Sequence, residues 1–157
     1  MNFYYIAYNF EIYILKIHIK KDSARNTITY KRKGLEDAWI VADHFLVMHD
    51  LSHYVIEKTM NYENAFWGMI KSGIHPEEFL IKERREKILT SDEAWYAEHM
   101  ANLFLMELSQ GYFEDFNTVL HQTLKTTNPN LPLVQISAEK KILLESYTRS
   151  LLMTGRY

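Results

Sequence analysis

Residues 47–60 read VMHDLSHYVIEKTM, and the rest of the chain is arranged around how this stretch folds. On a helical wheel with His49 at the origin, His53 lies at about 40°, Glu57 at about 80° and Asp50 at about 100°. Two imidazoles and two carboxylates therefore share one side of a helix. Ile56 and Met60 lie close to His49, while Leu51, Tyr54 and Val55 fill most of the opposite side. A helix that is apolar nearly all round is buried near the middle of a domain. Its imidazoles and carboxylates must then find partners, because a buried unpaired polar group is costly.

Upstream, Leu15, Ile17 and Ile19 alternate with Lys16, His18 and Lys20, the period-two pattern of a half-buried strand. The turn-forming residues 22–26 and the alternating, β-branched Thr27–Arg32 complete a predicted antiparallel hairpin over residues 12–32. Residues 35–47 carry two signals. Trp39-Ile40-Val41 is strand-like, whereas Leu35-Glu36-Asp37-Ala38 suits the start of a helix. The helical reading is firm from about Val47, which puts His49 and Asp50 in a first turn, where the helix dipole favours a neutral imidazole.

Downstream, Ala65–Gly73 reads as a short helix ended by Gly73, Pro76-Glu77-Glu78 as a new helical start, and KERREK (82–87) as an exposed helical face. Ser91-Asp92-Glu93 opens a strong helix running to about Gln110, and Gly111 stops it. A further helix is expected over Tyr112–Lys125. The linker 126–132 leads to a last helix from Ser137, with Ile142, Leu143, Leu144, Tyr147, Leu151 and Leu152 as its core-facing stripe. The expected fold is α+β and predominantly helical. It is a single domain over 1–157, in which an N-terminal antiparallel hairpin or small sheet packs on a bundle of about five helices, with 47–153 mainly helical.

Composition narrows the chemistry. The apolar fraction of 47% and aromatic fraction of 14% suit a globular core. With no cysteine there is no disulfide, thiolate site or cysteine nucleophile, so a metal would need His, Asp, Glu or water ligands. No apolar run is long enough to span a membrane, and the first fifteen residues lack the features of an export signal. The expectation is a cytoplasmic protein with no membrane partner. The net charge of −2 conceals a basic segment over residues 16–33. That segment reads as the solvent face and edge of a small sheet rather than as a nucleic-acid footprint. The aromatic N-terminus (Phe3, Tyr4, Tyr5, Tyr8, Phe10) is a candidate homo-oligomer interface.

Two histidines four residues apart can reach one ion, with a carboxylate as further ligand, orienting partner or general base. His49, His53, Asp50 and Glu57 are the candidate set, with Asp50 or Glu57 as the candidate base and zinc as the expected ion. A distant partner is also required. Glu98 and His99 on the strong helix are the first candidates and His44 the nearest alternative. Ser52 lies off the His53 direction and has no nucleophile elbow around it, and no phosphate-binding Gly loop is present.

Residues 27–73, about a third of the chain, resemble uncharacterised bacterial proteins that share an HDLxHxxVE…FWGxxxxG pattern, here His49–Glu57 followed by Phe66-Trp67-Gly68 and Gly73. That resemblance implies a shared fold and site and brings no activity. His49-Asp50-Leu51-Ser52-His53 is also similar to the HDxxH motif of a helical coenzyme Q biosynthesis family, where the motif is associated with zinc. The spacing to the following acid differs, so only His49, Asp50 and His53 carry over, and the prenyl-quinone substrate does not. Two functions follow. One is a divalent-metal-binding protein or metal-dependent enzyme. The alternative is a non-catalytic interaction protein whose histidine pair braces the helical core.

Overall fold

In this computed structural model, backbone is described for residues 3–9, 14–21 and 25–154, and side chains for 15–21 and 25–150. The alternation at Leu15, Ile17 and Ile19 turns those three side chains into the core, and Lys16 and Lys20 outward. Strand β2 (Ile14–Lys21) pairs antiparallel with β3 (Asn26–Arg32), so Ile17 stands opposite Tyr30 and Ile19 opposite Ile28. The expected hairpin is thus present. Its residues 12, 13 and 22–24 lie outside the described residues.

Two more strands extend it to a four-stranded antiparallel meander, β1-β2-β3-β4. The aromatic N-terminal segment supplies β1 (Phe3–Asn9), with Ile6 opposite Ile17. Phe10 and the side chains of Phe3, Tyr4, Tyr5 and Tyr8, the expected interface, lie outside the described residues. The strand-like half of the 35–47 stretch becomes β4 (Ala38–Ala42), with Ala38, Ile40 and Ala42 turned inward and Trp39 and Val41 exposed. Most cations of the basic segment face solvent, but Arg32 does not. It is buried, and its guanidinium donates to the carbonyls of Ile74 (3.2 Å), Ile70 (3.5 Å) and Glu36 (3.1 Å).

Helix α1 (His44–Met60) begins earlier than Val47, because Asp43 is its N-cap and accepts from the Leu46 amide at 2.8 Å. His49 therefore belongs to the second turn, beyond the reach of the dipole argument made from sequence. The helix is buried from Asp50 through Glu57 and packs against β3, β4 and several helices. Asn61, at φ 56°, closes it by donating its amide to Glu57 O.

The remaining helices are α2 (Phe66–Ser72), α3 (Lys82–Ile88), α4 (Asp92–Gln110), α5 (Phe116–Thr127) and α6 (Ala138–Thr154), with a 3₁₀ turn at Pro76–Leu80. α4 and α6 flank α1, and α5 packs on α4. Two expectations are corrected. α5 starts at Phe116 rather than Tyr112 because the Asp115 carboxylate caps it, accepting from the Thr118 amide. α6 does not turn a broad apolar stripe inward. Leu144 and Thr148 are buried, while Ile142, Leu143 and Tyr147 are 67%, 42% and 49% exposed. A helix with α1 as its main neighbour has one narrow face to bury, and the i, i+4 pair Leu144 and Thr148 supplies it. The side chains of Leu151 and Leu152 are not among those the structure describes.

Candidate metal centre

α1 and α4 run side by side, and the polar face of α1 meets α4 at Glu98. His53 Nε2 lies 3.1 Å from Glu98 Oε2, and His49 Nε2 lies 3.6 Å from Glu98 Oε1. The two imidazole rings are 4.7 Å apart, centroid to centroid. Each of the three residues offers one ligand atom, and these atoms all lie within 4.8 Å of one another, close enough to hold a metal ion. Asn102 Nδ2 donates to Glu98 Oε1 at 3.0 Å, fixing the carboxylate from one turn further along α4.

A carboxylate also stands by the other nitrogen of each ring. His53 Nδ1 is 3.3 Å from Glu57 Oε1, and His49 Nδ1 is 3.9 Å from Asp50 Oδ1. A carboxylate on Nδ1 selects the tautomer that leaves Nε2 free to bind an ion. Glu57 is completely buried, and its second oxygen accepts from the backbone amides of Trp67 (2.9 Å) and Gly68 (3.4 Å). It therefore caps the start of α2, whose own N-cap residue, Ala65, makes no side-chain cap bond. The Trp67 indole N–H donates to Asp50 O at 2.9 Å, a second tie between the same elements.

His44 is exposed at the start of α1, outside the cluster. His99 is stacked on Trp95, with ring centroids 6.1 Å apart, and burial pulls its pKa down. Ser52 donates to Met48 O within its own helix. Asp50 is buried at the cluster, and its Oδ2 has no hydrogen-bond partner among the described residues.

The electrostatics follow from these contacts. Burial alone would lower the pKa of His53, but its hydrogen bonds to Glu57 and Glu98 push it up to about 9. His49 is raised too: burial works against it, and Asp50 and Glu98 prevail. Burial would raise Glu98, but the two histidines hold it far below the usual carboxylate range. Glu57 and Asp50 are raised by burial, against the opposing pull of their histidines.

The sign of a pH effect can be fixed from His53. Its folded pKa is above the free value of 6.5, so its stabilisation is complete below pH 6.5 and is lost as pH rises through about 9. At about 1.4 kcal/mol per pKa unit the ceiling is about 3 kcal/mol. Urea unfolding of metal-free protein is expected to show stability falling across that window, with a flatter profile in His53→Gln. Identical profiles for the two proteins would refute the assignment.

The cluster forms one wall of a cavity of about 560 Å³, which is the size of a small-molecule site. Phe66, Phe79, Leu80, Leu89 and Trp95 contribute apolar walls. Sequence reasoning passed over Asn102, which no motif marks, and Arg85, hidden in a charge run.

No protein-family model matches the chain, and no curated protein or solved structure matches it. Among the described residues, no helix is long and apolar enough to cross a membrane.

Proposed function

We propose that this protein binds a divalent metal ion through His49, His53 and Glu98 and acts as a metal-dependent enzyme on a small molecule held in the adjoining cavity. The observation that carries the reading is the approach of three ligand atoms, from two helices, to within 4.8 Å of one another on the wall of that cavity. Two histidines and one glutamate form a ligand set used in catalytic zinc sites, where three protein ligands leave a position for water or substrate. Zinc is the ion of choice here. It suits neutral imidazole and carboxylate ligands and needs no thiolate, and this chain has none to offer.

Glu57 and Asp50 take supporting roles in this reading. Glu57 is bound on both oxygens and buried, so it orients His53. Asp50 lies beside His49 and is one of the residues lining the cavity, which makes it the candidate general base, although its unpartnered Oδ2 is itself enclosed. A bound ion would supply Lewis acidity for polarising a carbonyl or activating water.

Purified protein is expected to hold about one zinc per chain by elemental analysis, and His49→Ala/His53→Ala to hold none. Glu98→Gln, at the more exposed member of the cluster, separates ligand loss from misfolding and should also lower metal content sharply. Equal metal in wild type and all variants would sink the proposal. A second reading is favoured by one observation: His53 already has a carboxylate at each ring nitrogen. In that case the histidine is a cross-helix brace. The protein would then be metal-free as purified, and zinc would leave its unfolding midpoint unchanged.

A further inference from the structure

The cavity has a second chemical end. Arg85, on α3, is one of its lining residues, and its Nη1 donates to Phe79 O at 3.3 Å. Its neighbours are engaged: Arg84 pairs with Glu78 at 2.6 Å, and Glu86, which also lines the cavity, pairs with Lys82 at 3.9 Å. Among the described residues, no carboxylate forms an ion pair with Arg85. A guanidinium fixed by one nitrogen, with its other donors uncommitted beside an apolar cavity, is suited to receive an anion, and its planar fork matches a carboxylate.

Aromatic rings lead from that cation to the histidines. The Phe79 ring lies 4.8 Å from Phe66, edge to face, and Phe66 lies 5.9 Å from the His53 ring. Trp95 adds another flat apolar surface to the lining. At the histidine end the two imidazoles are already matched by Asp50 and Glu98, which leaves no uncompensated side-chain cation there for a second carboxylate. The two ends thus select opposite features of a ligand, with an apolar body between them.

We propose that the cavity binds a monocarboxylate with a ring-sized apolar body, its carboxylate on Arg85 and its uncharged, reacting end toward His49, His53 and Glu98. The orientation rests on the metal reading above, whereas the anion site rests on Arg85.

Phenylbutyrate and its uncharged counterpart phenylbutanol are suitable probes, titrated calorimetrically against wild type and Arg85→Gln, with zinc content measured on the same samples. Wild type is expected to bind the acid at least tenfold more tightly than the alcohol, the scale of one charge-assisted pair. Arg85→Gln should bind both alike. Arg85 is exposed, so this variant should fold normally, and its circular dichroism checks that. The acid preference should survive removal of zinc by chelation. A preference that persists in Arg85→Gln, or that vanishes on chelation, would place the carboxylate on the histidine end and overturn the proposal. So would failure of wild type to bind either probe. Acid preference in a protein without zinc removes the metal reading and leaves the anion site standing; zinc without acid preference does the reverse.

Discussion

Glu57→Ala is expected to cost about 3–5 kcal/mol of unfolding free energy, the scale of breaking a buried, hydrogen-bonded charge pair. Glu57 is completely enclosed, and three groups depend on it: the His53 ring and the amides of Trp67 and Gly68. Alanine leaves these donors unpaired where little can replace the carboxylate, and it opens a gap beside Trp67. Glu57→Gln keeps an acceptor oxygen for the α2 amides, so its loss should be smaller, though it no longer holds His53 by charge. Urea denaturation followed by tryptophan fluorescence gives both numbers. If the alanine variant stays within about 1 kcal/mol of wild type, Glu57 is not the link between α1 and α2 described above.

Gly68→Ala should be comparably damaging for a different reason, at about 3 kcal/mol or more, above the usual cost of overpacking. A Cβ placed on Gly68 falls 1.9 Å from the carbonyl oxygen of Glu63 and 2.5 Å from its carbon. Backbone rather than a flexible side chain is in the way. That backbone is also held, because the Glu93 carboxylate accepts from the amides of Glu63 (2.8 Å) and Asn64 (2.6 Å). Relieving the clash means shifting either that loop or α2, and α2 carries the amides that hold Glu57. The variant should therefore lose metal affinity as well as stability. Wild-type behaviour in both measurements would show that α2 can slide without disturbing the site.

The central strands and α1 were legible because their signals are local. Leu15, Ile17 and Ile19 alternate with polar residues, and VMHDLSHYVIE is apolar on nearly every side. β1 was not legible: FYYIAYN is rich in aromatics with no polar alternation, so it reads equally as a cover or an interface. The start of α1 was obscured because Asp43, a strong cap, directly follows a β-strand pattern. At the site, i, i+4 spacing brings His49 and His53 together, but Glu57 also reaches α2, accepting from amides ten and eleven residues further along the chain. No periodicity encodes that relation. Arg85 is the hardest case: within KERREK every charge looks alike, and tertiary packing alone decides that Arg85 and Glu86 line the cavity.

α2 is a seven-residue strut between the sheet and the histidines. At one end the guanidinium of Arg32, from β3, holds the carbonyls of Ile70 and Ile74; at the other, Glu57 holds the amides of Trp67 and Gly68. Its length, about 10 Å at 1.5 Å per residue, thus sets the spacing between a sheet strand and the carboxylate that aims His53. Adding one residue inside it would turn one end by about 100° relative to the other, and both grips could not be kept. A segment that contributes no side chain to the cluster therefore acts as the gauge for one of its rings.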